Sequence, residues 1–486
     1  MGTTFEACLE RRQALPAVGS RTANPVATGA AVMATDALAV AVAGYLGAQL
    51  WSHVNGAVMA QTYLRLWPSF LVFLAAYGMM GLYPGVGRSP VEELRRSVSA
   101  TTVVYLVASA SIFLARDASF SSRGVFLICW AFSVVAIPVG RSALRYVCAG
   151  QPWWGLPVVV LGTGEAGRKV VRSLRATPEL GLKPVAVLDD DARDPDCEGV
   201  PVAGPLSVAA DLAQRLRVSH AVVAMPHLRR EELLGVLERM GAVFGHVIVI
   251  PDLFGMASLW VSTRDLGGVL GLEVRQNLLS PVNRWLKRGL DICVASLGGL
   301  AVSPLMATAA LWIKCVSRGP AFFLQERGGE GDKRIRVWKL RTMYPNAAEL
   351  LERHLRANPQ ARQEWSRFFK LRKDPRLLPV IGSLLRRTSL DEIPQLWNVI
   401  RKKMSLVGPR PFPEYHLEQF DPEFRKLRAR VLPGLTGLWQ VSARSNGDLG
   451  VQQALDTYYI RNWSLWLDLH ILARTVRAVL LHHGAY

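Results

Sequence analysis

The sequence ICVASLGGLAVSPLMATAALWI, at residues 292–313, is an apolar segment with basic residues at both ends. Lys287 and Arg288 precede it, and Lys314 follows it. Its length matches the roughly 20 residues that a helix needs to cross the hydrocarbon core of a bilayer. Because basic residues tend to stay on the cytosolic side of a membrane, both ends of this segment are expected in the cytosol. The segment therefore predicts a membrane helix whose two ends lie on the same side.

Ser303-Pro304 lies near the middle of this segment. Proline lacks a backbone N–H and clashes with the preceding turn, so it kinks or breaks a helix. We predict a re-entrant membrane helix over about 284–316 that breaks at Ser303 and Pro304 and returns to its side of entry. The Ser303 hydroxyl is then placed to hydrogen-bond a carbonyl freed by the break. The alternative is an ordinary kinked span that exports the C-terminus.

Four further apolar stretches predict an N-terminal transmembrane bundle in a membrane protein. The links between them alternate in charge: the 88–96 link is basic, whereas 51–64 has neither Lys nor Arg. This alternation places the N-terminus and the chain after residue 141 in the cytosol. The alternative is a large soluble domain with buried core helices. Domain 1–150 is thus predicted to hold four transmembrane helices, at 26–50, 67–87, 100–115 and 124–140.

The composition limits the class of protein and of partner. The chain has 486 residues, 50% of them hydrophobic and 20% charged, which excludes an intrinsically disordered protein. The formal net charge of +19 indicates an anionic partner such as nucleic acid, phospholipid headgroups or a phosphorylated substrate. The six cysteines form no C-x-x-C pair, so they indicate neither a zinc site nor a disulfide scaffold.

Residues 151–278 predict a Rossmann-like α/β domain. Strand-like runs alternate with helical patterns there, as in a parallel sheet. The first run is followed by GTGEAG, a G-x-G-x-x-G sequence between a strand and a helix. Asp189 and the two aspartates after it lie where such folds place a ribose-binding acid. Either Gly162, Gly164 and Gly167 form a nucleotide loop, or they form a tight turn in a supporting domain.

Residues 279–486 predict a mainly α catalytic domain that contains the re-entrant helix. Within it, Asp391 and Glu392 are adjacent acids close to Arg386 and Arg387. Ser389 and Glu392 have the spacing of a capping box, so both acids could simply begin a helix. The functional alternative is a carboxylate nucleophile that the helix dipole keeps ionised, with basic groups holding a diphosphate. Adjacent acids also suit Mg²⁺, which is usually bound by one or two carboxylates and substrate phosphates.

From Lys287-Arg288-x-x-Asp291 to its end, the chain closely resembles the bacterial sugar transferases. This family is also known as the monotopic phosphoglycosyl transferases or polyprenyl glycosylphosphotransferases. The resemblance is carried by ordered motifs over about 200 residues, which include KLRTM (339–343), LRRTSLDEIPQLWN (385–398), MSLVGPRP (404–411) and PGLTGLWQVSAR (433–444). Together with the four N-terminal spans and the middle domain, these motifs resemble the large form of the family.

The resemblance implies a reaction at the bacterial inner membrane, with the catalytic domain facing the cytosol. A UDP-sugar would give its sugar phosphate to undecaprenyl phosphate and release UMP, as the first membrane step of O-antigen, capsule or exopolysaccharide synthesis. Galactose is the expected sugar and glucose the next. A homodimer and contacts with inner-membrane lipid are expected; nucleic acid is not an expected partner.

The resemblance also implies roles for individual residues. Asp391 would be the nucleophile and a Mg²⁺ ligand, and Glu392 would deprotonate the incoming polyprenyl phosphate or position it and the metal. Ser303 and Pro304 match the family's break in its re-entrant helix. The middle domain is expected to be regulatory or to support oligomerisation. The residues expected to bind substrate phosphate or nucleotide are Lys339, Arg341, Arg386, Arg387, Arg410, Arg444 and Asp468.

Two positions depart from the family pattern: Ala443 stands where glycine is common, and Lys402-Lys403 replace a glycine and a polar residue.

The runner-up function is a membrane-tethered NAD-dependent sugar-nucleotide dehydratase or epimerase. That chemistry requires a Tyr-x-x-x-Lys pair, which the sequence lacks. A glycosyltransferase that uses Asp189 and Asp191 at a metal, and a non-enzymatic scaffold, are further alternatives.

Overall fold

The structure is a computed structural model. It describes residues 23–54, 69–114, 123–192, 194–251, 261–265, 270–274, 277–368, 371, 374–442 and 449–480. The chain divides into two compact units, residues 1–256 and 257–486. Predicted domain 1–150 and residues 151–256 of the predicted middle domain therefore belong to the first unit, whereas residues 257–278 belong to the second. The second unit contains the long apolar helix and the predicted catalytic motifs.

The described part of the first unit starts with four helices, within residues 23–54, 69–114 and 123–148. Two of them, Pro25–His53 and Gly124–Cys148, are long and apolar enough to cross a membrane. The second predicted stretch ends earlier than expected, at Met79, and Gly81 follows with a left-handed φ of 66°. The third begins earlier, at Pro90, so its first turns carry Glu92 and Glu93. The helices are α1 (Pro25–Val54), α2 (Ser69–Met79), α3 (Pro90–Leu114) and α4 (Arg123–Cys148).

A buried ion cluster joins three of these helices. Arg141 of α4 donates to both oxygens of Asp36 in α1, at 2.8 and 2.5 Å, and to Glu93 of α3 at 3.0 Å. Arg145 also pairs with Glu93. Buried charges are tolerated only when they are paired and hydrogen-bonded. Arg141 and Arg145, the basic residues in the last part of α4, are thus paired inside the helix assembly.

A parallel α/β sheet completes the first unit and confirms the Rossmann-like prediction. Its strands lie in the order β3-β4-β2-β1-β5-β6, and only the short β3–β4 pair is antiparallel. The central strand β1 is buried along its whole length. The elements are β1 (Leu156–Leu161), α5 (Glu165–Ala176), β2 (Leu182–Leu188), β3 (Asp196–Cys197), β4 (Val200–Gly204), α6 (Ala209–Leu216), β5 (His220–Val223), α7 (Arg230–Val243) and β6 (His246–Val249).

The second unit is mainly helical, with short two-stranded sheets. An antiparallel pair, β7 (Val261–Asp265) and β8 (Leu270–Val274), precedes the long helix α8 (Pro281–Val316). The hairpin β9 (Phe322–Gly328) and β10 (Arg334–Leu340) follows it. The other elements are α9 (Ala347–Ala357), α10 (Pro359–Phe368), α11 (Ile381–Arg387), α12 (Leu396–Ile400), β11 (Ser405–Val407), α13 (Glu414–Leu417), α14 (Pro422–Arg428), β12 (Gly434–Thr436), α15 (Leu438–Ser442), α16 (Leu449–Arg461) and α17 (Leu465–Leu480).

Helix α8 is the third helix that is long and apolar enough to cross a membrane. It is continuous from Pro281 to Val316, with Pro304 inside it. The prediction that helical structure is interrupted at Ser303-Pro304 is therefore wrong. Pro304 removes the N–H that would bond the carbonyl of Leu300, and the Ser303 hydroxyl donates to that carbonyl at 2.8 Å. The predicted bond from Ser303 to a freed carbonyl is confirmed, and it helps the helix accommodate the proline.

Both ends of α8 pack against the same unit. Near its start, the Asp291 carboxylate accepts from the Ser405 hydroxyl and the Leu406 amide. Near its end, Ile313 is buried in a core with Leu340 and Leu385. The apolar middle of the helix lies largely exposed, with 70–74% of Leu297 and Leu300 accessible. An exposed apolar surface of this kind marks a contact with another protein or with a membrane. The length and composition of α8 are consistent with membrane association.

Candidate active site

The adjacent acids Asp391 and Glu392 lie in a short 3-10 turn, Leu390–Gln395, between α11 and α12. The chain enters this turn through Ser389, whose φ is 58°. In that left-handed conformation the Ser389 side chain makes no capping hydrogen bond. The capping-box interpretation is therefore wrong, because the side chain of Glu392 bonds other residues.

Glu392 is held between two cations. One carboxylate oxygen, Oε1, accepts from Lys339 Nζ and from Arg410 Nη2, each at 2.8 Å. Burial raises the pKa of Glu392, but the charges and hydrogen bonds of Arg410 and Lys339 outweigh burial and lower it to about 2. Glu392 is thus an anion that orients two basic side chains at neutral pH.

Asp391 has the opposite electrostatic balance. Burial raises its pKa to about 6, Lys339 opposes the rise, and Glu392 adds to it. Asp391 thus lies in a 3-10 turn rather than at the start of an α-helix, and burial is the largest influence on its pKa. Among the described residues, no donor hydrogen-bonds the Asp391 carboxylate. With a pKa of about 6, the group is mostly ionised at neutral pH and available to react.

Arg386 and Arg327 extend the basic surroundings of the acid pair. Arg386, at the end of α11, acts electrostatically on Asp391, and its Nε donates to the Thr342 hydroxyl at 3.2 Å. Burial lowers the pKa of Arg327, as does the nearby charge of Arg410, while Glu392 raises it. Sequence reasoning missed Arg327. The register of the β9–β10 hairpin, in which Arg327 faces Ile335, places it on the same side as Lys339.

Arg410 is positioned by a close approach of two backbone segments. It follows β11 in the Gly408-Pro409-Arg410-Pro411 loop, which runs beside the glycines of β12. A Cβ on Gly434 would lie 2.1 Å from the Gly408 nitrogen, and one on Gly408 would lie 2.6 Å from the Leu432 carbonyl oxygen. Only glycine permits this packing, which fixes the loop that carries Arg410.

Of three further predicted ligand residues, one is engaged within the protein, one is exposed and one is not described. Arg341 is buried, and its guanidinium donates to the carbonyls of Ser317 and Arg318 at 2.7 and 2.9 Å. It therefore holds the turn after α8, and the prediction that it binds substrate is wrong. Arg387 is exposed at the end of α11. Arg444 lies outside the described residues.

Asp468 is the other correction. It is buried, and its carboxylate accepts from Lys287 Nζ at 2.6 Å, from the Tyr459 hydroxyl at 2.8 Å and from Trp463 Nε1 at 3.0 Å. Lys287 also donates to the Val407 carbonyl at 3.0 Å. These bonds use the carboxylate to anchor the start of α8, so the prediction that Asp468 binds substrate is wrong.

The glycine loop of the first unit has the expected geometry. Gly162 follows β1 with a φ of 108°, and a Cβ on Gly167 would lie 1.9 Å from the Gly162 carbonyl oxygen. Gly164 has open space around it. However, the Asp189 carboxylate accepts from both the amide and the hydroxyl of Thr163, each at 2.6 Å. The acid expected to bind a ribose is thus already bonded to the loop.

The carboxylate oxygens of the acid pair are suitable ligands for Mg²⁺, which phosphate-transfer sites usually bind through one or two carboxylates and substrate phosphates. The available oxygens come from Asp391 and the adjacent Glu392. Within the described ranges, no group of three or more His, Cys, Asp or Glu residues could enclose a metal ion. An ion at Asp391 would therefore depend on substrate phosphates and water for its remaining ligands, as Mg²⁺ commonly does.

Comparisons with known proteins agree with this arrangement. Residues 282–482 match the family model described as bacterial sugar transferase. Residues 79–251 match a model described as a CoA-binding domain. The first match contains α8, the hairpin and the acid pair. A sugar transferase joined to a Rossmann-like unit is thus the class that fold and site define.

Several characterised relatives match over much of their length. The undecaprenyl-phosphate galactose phosphotransferase of Salmonella typhimurium is 33% identical over 82% of this chain and 83% of its own. The UDP-glucose:undecaprenyl-phosphate glucose-1-phosphate transferase of Escherichia coli is 33% identical over 74% of this chain and 76% of its own. The exopolysaccharide production protein ExoY of Rhizobium meliloti is 40% identical, with 99% of its length matched by 46% of this chain. The chain belongs to the bacterial sugar transferase family and is a membrane-associated transferase.

Replacing Asp468 tests its structural role. Asp468→Asn removes the charge that pairs with buried Lys287, and breaking a buried ion pair costs about 3 kcal/mol or more. We expect a clear fall in the unfolding temperature of the full-length protein in detergent. Glu423→Gln, which breaks an exposed pair with Lys426, is the control and should change stability by less than about 0.5 kcal/mol. Equal unfolding temperatures for the two variants would contradict the assignment.

Proposed function

We propose that this enzyme transfers a sugar phosphate from a UDP-sugar to undecaprenyl phosphate and releases UMP. The observation that carries the proposal is the contrast between the two adjacent acids. Glu392 is clamped by Lys339 and Arg410, whereas the Asp391 carboxylate is available among the same cations. A reactive carboxylate surrounded by basic groups suits attack on a diphosphate.

The reaction proceeds in two displacement steps. An Asp391 carboxylate oxygen attacks the phosphorus that bears the sugar, and the bond from that phosphorus to the bridging oxygen breaks. UMP leaves with the bonding electrons. An oxygen of undecaprenyl phosphate then attacks the same phosphorus, and the bond to Asp391 breaks, which restores the carboxylate. The product is an undecaprenyl diphosphate sugar.

The basic residues stabilise the negative charge that moves onto UMP in the first step. Lys339 and Arg410 are held in place by Glu392, and Arg386 and Arg327 lie close enough to act on the acid pair. Because the pKa of Glu392 is lowered to about 2, it is a weak base at neutral pH. Glu392 was expected to deprotonate the polyprenyl phosphate or to position it and the metal; we assign it instead to positioning Lys339 and Arg410, which its hydrogen bonds support.

Mg²⁺ is part of this proposal, with Asp391 as its protein ligand and the diphosphate oxygens as its main partners. When bound, the ion would neutralise charge on the transferred phosphate.

Galactose is the proposed sugar and glucose the next, since relatives of both kinds match most of the chain. The product would begin an O-antigen, capsule or exopolysaccharide. The Rossmann-like domain is proposed to regulate the enzyme or to support a homodimer. Light scattering of the solubilised protein measures its oligomeric state.

Removing the nucleophile should abolish the reaction. Purified full-length protein with Mg²⁺, undecaprenyl phosphate and UDP-galactose or UDP-glucose should release UMP, and EDTA should stop it. Asp391→Asn should reduce UMP release by at least about 10³-fold, because an amide cannot replace the carboxylate nucleophile. The exposed Asp332→Asn is the control and should retain activity. UMP release unaffected by Asp391→Asn would refute the role, and release of UDP instead would indicate a different class of glycosyltransferase.

The pH dependence should report the ionisation of Asp391. The carboxylate is reactive when deprotonated, so we expect kcat/KM for the UDP-sugar, which reports the free enzyme, to rise with pH through a midpoint near 6. Glu392→Gln removes a neighbouring negative charge that raises the pKa of Asp391, so the midpoint should move to lower pH. Glu326→Gln, an exposed acid on β9, should leave the midpoint unchanged. A midpoint that Glu392→Gln raises would contradict this electrostatic account.

We also propose that four N-terminal helices cross the inner membrane and that α8 is re-entrant, bending at Pro304 without losing its helix. The packing of Asp291 and Ile313, near the two ends of α8, against the rest of the second unit supports this topology. A protease-cleavable epitope tag after Tyr486 should be cleaved in inverted vesicles and protected in spheroplasts. A tag in the 51–64 link should behave in the opposite way. Cleavage of the C-terminal tag in intact spheroplasts would refute re-entry.

A further inference from the structure

The second unit contains a cavity of about 450 Å³ beside the first turns of α8. Its lining does not include Asp391, Glu392 or the cations that surround them. Residues of α8 form one side, and the segment 430–432 together with Lys402 forms another. The volume falls within the range of small-molecule binding sites. The proposed transfer chemistry leaves this cavity without a role.

The cavity carries an excess of positive charge that the protein does not neutralise. Lys287, Arg288 and Asp291 line it, but their charged groups bond to other parts of the unit. The other charged residues of the lining are Arg284, Lys402, Arg430 and Glu330. Within the part of the chain that the structure describes, none of these three cations forms a salt bridge. Arg284 donates to the Leu278 carbonyl at 2.8 Å, a neutral partner that does not neutralise its charge. Three cations without an ion pair and one acid favour an anionic ligand.

Lys402 is presented to the cavity by an unusual backbone conformation. Its φ is 59°, in the left-handed region that favours glycine and disfavours residues with a Cβ. The lysine side chain is exposed, and it lines the cavity. Lys402 follows the end of α12, where its amide bonds the Val399 carbonyl and the Lys403 amide bonds the Asn398 carbonyl, so the left-handed angle belongs to the helix C-cap. This cap fixes the backbone from which the Lys402 side chain reaches the cavity.

The location points to a lipid as the source of the anion. The cavity adjoins the basic start of a helix whose apolar segment begins eight residues after Arg284, at Ile292. Trp285 lines the cavity and is 78% exposed, and the neighbouring Val282 and Leu286 are also exposed. Tryptophan and exposed aliphatic side chains beside basic residues are typical of the membrane–water interface. Basic pockets at that depth bind anionic lipid headgroups.

We propose that this cavity binds the phosphate-bearing headgroup of an anionic phospholipid, separately from the reacting lipid. Arg284, Lys402 and Arg430 would contact the phosphate, and Trp285 would lie against the glycerol and upper acyl chain. Such a site would fix the depth and tilt of α8 relative to the headgroups. It would make anionic phospholipid a ligand of the enzyme in addition to its substrates.

The test measures binding of defined lipids to the full-length protein by native mass spectrometry, without UDP-sugar. Phosphatidylglycerol should bind and phosphatidylcholine should not. The triple variant Arg284→Gln, Lys402→Gln, Arg430→Gln should weaken phosphatidylglycerol binding by about a hundredfold, since each basic residue near a membrane surface contributes about fivefold. The triple variant Lys333→Gln, Arg334→Gln, Arg353→Gln removes the same number of exposed charges elsewhere and should bind normally.

A single variant separates binding from folding. Lys402→Gly relieves the left-handed conformation, so it should keep or raise the unfolding temperature while weakening phosphatidylglycerol binding about fivefold. Unchanged binding in both Lys402→Gly and the cavity triple variant would refute the site. A triple variant that loses only undecaprenyl phosphate would refute the phospholipid as occupant, and equal displacement by inorganic phosphate would refute a lipid ligand. Because no turnover is measured, these results are independent of the proposed reaction.

Discussion

The ion pair between Lys287 and Asp468 is the contact on which the arrangement of the second unit depends. It lies at the start of an apolar helix, where an unpaired charge would be costly to bury. Its bonds to Tyr459 and the Val407 carbonyl join α8, α16, α17 and β11. One turn later, Asp291 bonds the β11 backbone, and Arg288 donates to the last carbonyls of α12. Since β11 leads into the Arg410 loop and α12 follows the acid pair, the same contacts that hold the membrane helix also position the active site.

The sequence predicts the reactive centre well because local motifs determine it. Asp391, Glu392, Lys339, Arg386 and Arg410 were expected at one site, and the structure brings them together. Asp468 and Arg341 were misassigned because a polar residue in a motif looks the same whether it binds a ligand or a buried partner. Only the tertiary structure shows that the Asp468 carboxylate pairs with Lys287 and that Arg341 donates to carbonyls in the turn after α8. Arg327 was missed because its position depends on the register of a hairpin rather than on a motif.

The fold was predictable where hydrophobic patterns determine the secondary structure. It was less predictable where one backbone angle or one side-chain hydrogen bond determines the local conformation. Strands β1, β2, β5 and β6 begin within two residues of the strand-like runs 157–162, 184–189, 219–226 and 246–253 in the sequence, and the glycine loop follows β1 as expected. The short strands β3 and β4 were not predicted. The capping box failed because Ser389 adopts a left-handed φ, which a spacing rule does not reveal. The interruption expected at Pro304 failed because one serine hydroxyl replaces the missing donor at the Leu300 carbonyl. Such compensations depend on side-chain geometry that periodicity alone does not encode.

The clamped position of Glu392 has a consequence for substrate turnover. Without an anion between them, Lys339 and Arg410 would repel each other and move apart. Glu392 keeps both in place before any substrate arrives, so little reorganisation accompanies the first step of the proposed reaction. The same carboxylate also competes with substrate phosphates for these two cations. A nucleotide product is therefore held less firmly than two fully free cations would hold it, which favours its early departure and leaves room for the lipid acceptor.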